Sequence, residues 1–177
     1  VEYFDETIEF RRDSDYAAEY LTGVYYIDYA LRAKEDGGVS EPEFLHNVEK
    51  FAQHLRSLEP VIHVQSITDT FKRLNKNMHG DDPSYYKLPD DRELAAQYLL
   101  LYEMSLPYGL DLNNQIDVKK SATKIAVTMK TISTNEILRL ERETAAWMQQ
   151  NMPEIEFESS GPTVMFAHIG KRNIESM

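Results

Sequence analysis

VYYIDYALRAKEDGGVSEPEFLHNVEKFAQHLRSLEPVIHV, residues 24–64, reads as a strand, a helix and a second strand in succession. In its first part Tyr25, Ile27, Tyr29 and Leu31 fall on one face while Asp28 and Arg32 fall on the other, the period of two expected of a half-buried strand. Gly37 and Gly38 supply a turn. Ser40 with Glu43 spells a capping box, with Pro42 in the first turn, ahead of a helix whose apolar positions are Phe44, Val48, Phe51, Leu55 and Leu58. Pro60 ends that helix, and Val61 to Val64 reads as a short buried strand.

The same order recurs in the C-terminal half. A long strand is predicted from about Gln115 to Ile132, where Ile125, Val127 and Met129 alternate with Lys124, Thr128 and Lys130. Ser133 with Glu136 caps a helix to about Asn151 that carries Ile137, Leu140, Thr144, Trp147 and Met148. Ile155 and Phe157 then alternate with Glu154, Glu156 and Glu158 in a last strand, and Gly161-Pro162 restarts the chain as a terminal helix over 162–177. Strand, helix, strand followed by strand, helix, strand is the α+β arrangement of a split βαβ, ferredoxin-like domain. Right-handed crossovers would place both framework helices on one face of a four-stranded sheet and leave the other face open.

Residues 66–106 fall between the two halves as a helical insertion. Ser66 caps a helix bearing Ile67, Phe71, Leu74 and Met78, Gly80 to Pro89 is a polar loop, and Asp90 with Glu93 opens a helix reaching about Leu106. Tyr98, Leu99, Leu100, Leu101 and Tyr102 give this last helix an apolar arc wider than one buried face requires. At the N-terminus Asp13 caps a short helix through Leu21, ended by Gly23. At 177 residues the chain accommodates one domain with a substantial core rather than two, so 1–177 is read as a single unit.

Composition narrows the function. Nineteen Lys and Arg stand against 30 Asp and Glu, a formal net charge of −11, which repels phosphate backbones and argues against nucleic acid as a partner. There is no cysteine, hence no disulfide and no thiolate metal site. No run reaches the roughly 20 apolar residues of a membrane-spanning helix. The beginning at Val1 and the ending at Met177, inside a helical pattern, lead to the expectation of a segment cut from a longer chain.

The residues that usually carry chemistry are not grouped. His46, His54, His63, His79 and His168 never take the spacing of a zinc-binding helix, and the chain contains no nucleophile elbow, phosphate loop or dinucleotide fingerprint. Asp81-Asp82 and Asp90-Asp91 lie beside prolines, where turns and helix caps account for them. Gly80-Asp81-Asp82 lacks the alternation and closing glutamate of a calcium loop. The expectation is therefore no enzyme, no metal, no catalytic residues and no cofactor.

What remains is apolar surface. The plain reading of Tyr98 to Tyr102 is an inserted helix sandwiched between its neighbours and the sheet. The functional reading is a greasy cleft where the inserted helices lie beside the long strand, with Tyr98, Leu99, Leu101, Tyr102, Met104, Tyr108 and Met129 as candidate ligand-binding residues. Leucines and methionines would supply adaptable surface, and a tyrosine hydroxyl would orient the polar end of the ligand; 11 tyrosines suit such a pocket.

Several segments resemble one known family: Tyr3 to Glu6 with Phe10 to Asp13, Leu21-Thr22-Gly23, Arg73-Leu74-Asn75 with Met78 to Asp81, Leu94 to Tyr98, and Gly161 to Phe166. Together they are similar to the first large extracytoplasmic loop of resistance-nodulation-division (RND) transporters, in the branch of hydrophobe, hopanoid and sterol exporters. The resemblance implies a periplasmic porter domain with a split βαβ core in a bacterial inner-membrane protein driven by the proton gradient. It implies a sterol- or hopanoid-like lipid as ligand. The partners it implies are the protein's own transmembrane helices, its second periplasmic loop, a further copy in a homo-oligomer, and a periplasmic lipid carrier or outer-membrane-directed protein. On this reading 1–22 is a helical lead-in from one membrane helix and 162–177 leads to the next. The alternative is a structural docking or oligomerisation domain with no ligand site of its own.

Overall fold

The computed structural model describes residues 5, 7–20, 23, 25–107 and 112–176. Among these, helix α1 (Glu9–Tyr20) precedes strand β1 (Tyr25–Arg32), and α2 (Pro42–Arg56) leads to β2 (Val61–Gln65). The inserted α3 (Ile67–Met78) and α4 (Arg92–Ser105) follow, then β3 (Ala122–Met129), α5 (Thr134–Asn151), β4 (Glu156–Ser160) and α6 (Pro162–Glu175). The protein is α+β. The four strands among the described residues form one sheet in the order β2-β3-β1-β4, every neighbouring pair antiparallel. Each half thus contributes one inner and one edge strand, and the two halves interleave.

The alternation in β1 decides which side of the sheet is buried. Ile27, Tyr29 and Leu31 lie opposite Val127, Ile125 and Thr123 of β3, and all six are essentially closed to solvent. Onto this face pack α2 and α5: the Phe51 ring meets Tyr29 edge-on at 5.4 Å and stacks on Trp147 at 5.8 Å. Tyr26, Asp28 and Arg32 occupy the other face beside Thr128, Ala126 and Ala122, with Lys124 paired to Asp28 at 3.3 Å.

Two caps form as the sequence predicts. The Ser66 hydroxyl accepts the Thr68 amide at the start of α3, and Ser133 with Glu136 completes a reciprocal capping box on α5. Two others do not. Ser40 is buried in a 3-10 turn, Gly38–Ser40, that follows Gly37 at a left-handed φ of 78°, and α2 begins after Glu41 without a side-chain cap. For α4 the cap is Asp91, one residue later than expected; its carboxylate accepts the Leu94 amide at 2.8 Å.

Three boundaries also move. Helix α1 starts at Glu9, so Asp13 lies inside it, and its expected end at Leu21 falls outside the described residues. The predicted strand from Gln115 begins only at Ala122, because the Asp117 carboxylate collects the Ser121 and Ala122 amides and the Ser121 hydroxyl and folds 117–121 into a turn with Lys120 at φ 55°. A side chain that satisfies consecutive amides competes with the strand ladder for them. Ile155 is buried just ahead of β4 rather than within it.

The seam between α2 and α5 gives a pH readout. The His54 ring lies flat on Trp147, 4.2 Å away and 4° from parallel, and burial lowers its pKa from the ordinary value. A histidine whose folded pKa is depressed favours the fold while neutral, so this contribution is present above its unfolded pKa of about 6.5 and fades as pH falls below it. Fluorescence of the single tryptophan is expected to fall as His54 protonates in that range, and His54→Gln should flatten the titration. An unchanged titration in the variant would assign the change to another group.

Candidate docking surface on α4

The insertion is anchored by a short polar chain. Asn75, 3 % exposed, donates its side-chain amide to the Lys87 carbonyl at 3.0 Å and accepts the Tyr98 hydroxyl at 3.1 Å, joining α3, the intervening loop and α4. Burial raises the Tyr98 pKa, which keeps the phenol protonated as the donor. His79 stacks on Tyr85 at 3.7 Å and pairs with the Asn75 carbonyl at 2.8 Å, fixing the end of α3.

A second network ties α3 to α2. Glu49 accepts from Lys72 at 2.8 Å and from Thr68 at 2.6 Å, and Asp69 pairs with Lys72 and Arg56. Burial alone would raise the Glu49 pKa, but the hydrogen bonds from Lys72, Thr68 and Gln53 outweigh it and hold the carboxyl below its usual range. At the other end of the insertion Arg92 bridges Glu35 and Glu41, and Lys120 pairs with Glu103 at 2.7 Å. The insertion is therefore held from several sides, and α4 is held in one rotational setting.

That setting separates the candidate residues. Tyr98 and Leu99, with Ala95, are buried in the main core, and Met129 is sealed in β3 on the core face of the sheet. Tyr102 is partly buried against the same core. Leu101 and Met104 face outward at 48 % and 76 % exposure. Tyr108 lies outside the described residues. Tyr98, Leu99 and Met129 are thus closed to solvent and share no open surface with Leu101 and Met104.

Leu100, outside the candidate set, completes the outer group at 53 % exposed. The signal for it was already in the sequence: residues four apart on a helix are neighbours, so Leu100 stands beside Met104, and Leu101 flanks them. The wide apolar arc becomes one face in the core and one face in solvent. Isolated exposed leucines are ordinary, but adjacent large apolar side chains on one helix face form a patch of the kind that meets a partner.

The described clefts lie elsewhere. One of about 260 Å³ is bounded by Arg32, Glu35, Glu41, Glu43, Phe44 and Glu154. Another of the same volume lies between α5, α6 and the start of β1, lined by Tyr25, Tyr26, Ile132, Ile137 and Phe166.

The chain matches no family model and no curated protein.

Among the described residues no group of three or more His, Asp or Glu side chains is placed to hold a metal ion. Where a serine, a carboxylate and a histidine do meet, the Ser159 hydroxyl and the His168 ring bind opposite oxygens of Glu141, at 3.0 and 2.7 Å. The hydroxyl proton points at the carboxylate and the imidazole does not face the serine, so the trio links β4, α5 and α6 without activating a nucleophile. Tyr29 beside it is driven up to about 12 by burial and stays a neutral core phenol. None of the described helices is long and apolar enough to cross a membrane.

Proposed function

We propose that this chain is an extracytoplasmic, porter-type domain of an RND-like exporter of hydrophobic molecules, and that α4 is its docking helix. The inner face of α4 fixes the helix in the core, and the outer face, Leu100, Leu101 and Met104, meets the second extracytoplasmic loop or a neighbouring protomer. The observation that carries the docking role is this exposed trio on a helix whose other face is buried. The transporter assignment rests on the resemblance of Leu94 to Tyr98, Gly161 to Phe166 and the other segments to that family, together with the interleaved α+β sheet.

A second reading is favoured by the composition of the same patch. Leucine and methionine make an adaptable surface that accommodates an apolar ligand as readily as a protein, and a sterol- or hopanoid-like lipid carried past α4 would meet these side chains.

One set of measurements separates the two. Sedimentation of the domain alone and mixed with the second loop, and equilibrium binding to sterols, hopanoids and phospholipids, are compared for the native chain and for Leu100→Glu/Leu101→Glu/Met104→Glu. Docking predicts protein association weakened at least about tenfold in the variant, with native circular dichroism, since apolar anchors at an interface centre carry much of the binding energy. Saturable lipid binding that the variant loses would transfer the patch to the ligand. Native behaviour of the variant in every assay would remove α4 from both readings.

A further inference from the structure

The two edges of the sheet are treated differently. On β2 the edge is interrupted by a register shift between Val61 and His63, and Arg56 covers the Val64 carbonyl at 3.2 Å. Bulges, short strands and charged side chains are among the usual ways of blunting an edge against a like strand. Strand β4 is short and acidic, but among the described residues it has no register shift and no side chain bonded to its outward backbone groups.

The register shows which backbone groups of β4 turn away from β1. In an extended strand, successive N–H and C=O groups turn to opposite sides. Tyr26 donates its amide to the Thr163 hydroxyl on the β4 side of β1, and Ala33 donates to Ser121 on the β3 side. Asp28, Ala30 and Arg32 therefore turn toward β4, where they meet Ser160, Glu158 and Glu156. The N–H and C=O groups of Phe157 and Ser159 point away from the sheet, and β4 pairs only with β1 among the described residues.

The side chains along this edge are of one sign. Glu156 and Glu158 are exposed on the open face of the sheet and make no ion pair among the described residues; Arg32 stands directly across from Glu156 without bonding to it. The cleft at the head of the strand adds Glu154 and Glu43, which make no ion pair among the described residues, in a lining that also holds Arg32 and Lys34. A second copy of β4 would set glutamate against glutamate, and like charges directly opposite on a sheet face are destabilising.

From the free edge and its charge we propose that β4 accepts a basic extended segment of another protein as a fifth strand. The incoming chain pairs with the outward groups of Phe157 and Ser159. Its lysine or arginine side chains, at every second position, stand beside Glu156 and Glu158, and its end reaches the cleft at Glu154 and Glu43. Main-chain hydrogen bonds supply attachment, and the alternating charge selects the partner. This surface is separate from the outer face of α4.

The probe is the peptide acetyl-Lys-Val-Lys-Val-Lys-Val-Lys-amide, with a glutamate-for-lysine counterpart as control. Affinity is read by titration calorimetry, and amide hydrogen exchange of the protein by NMR. The basic peptide is expected to bind and the acidic one to show no binding. Exchange at Phe157 and Ser159 should slow at least about tenfold in the complex, and Glu156→Lys/Glu158→Lys should weaken binding at least about tenfold while keeping the native spectrum. Ser159→Pro, which removes an outward N–H without touching the β1 ladder, should weaken it as well. Equal binding of both peptides, no binding of the basic one, or binding that leaves the Phe157 and Ser159 amides unprotected would overturn the proposal, the last by reducing it to attraction toward the net charge of −11.

Discussion

Leu99→Ala is expected to cost about 2–5 kcal/mol of folding stability, whereas Leu101→Ala two residues away should fall within about 0.5 kcal/mol of the native protein. Leu99 is 1 % exposed and belongs to the main core, while Leu101 is 48 % exposed. Truncating the first loses the transfer free energy of buried methylenes and leaves a cavity; truncating the second removes surface. Urea unfolding curves of the two variants make the comparison. Equal losses would mean that α4 is turned differently from the arrangement described, and the patch proposed for docking would go with it. Introducing a charge at Leu99 would bury it unpaired, so a functional test of α4 belongs at Leu100, Leu101 and Met104.

Phe51→Ala should be at least as damaging, at about 3–5 kcal/mol, because Phe51 joins the sheet to both framework helices. Its ring is fully buried, touching Tyr29 of β1 edge-on and stacking on Trp147 of α5. Aromatic pairs in these geometries contribute beyond the area they bury. For a domain of this size a loss of that magnitude lowers the midpoint of thermal unfolding by about 6–20 °C. Calorimetry measures it, and tryptophan fluorescence should change in step because Trp147 loses a stacking partner. A shift of only a degree or two would show that the seam between α2 and α5 repacks around the missing ring.

The parts of the fold legible in the sequence are those governed by neighbouring residues. The period of two through Tyr25, Ile27, Tyr29 and Leu31 marks both β1 and its buried face, and the caps at Ser66 and Ser133 mark where α3 and α5 begin, because a hydroxyl reaches an amide only two or three residues away. Local chemistry becomes ambiguous where two residues can do the same work. Asp90 and Asp91 are both competent caps, and the surrounding loop selects Asp91; Ser40 could cap α2, but the turn entered through Gly37 buries it first. Asp117 withdraws 117–121 from the strand by a pattern of amide contacts that hydrophobic alternation does not reveal.

From the sequence by itself follow an α+β domain with its strands, helices and insertion in order, a strongly acidic surface, and an apolar arc on α4 too wide for one interface. Only the tertiary structure decided that Tyr98, Leu99 and Met129 are core while Leu100, Leu101 and Met104 face solvent, since the setting of an amphipathic helix depends on what the rest of the chain places beside it. It also decided that the glutamates of β4 lie along a strand that pairs on one side only among the described residues: alternation tells which face a side chain occupies, but the neighbours of a strand are chosen by contacts between residues far apart in the chain.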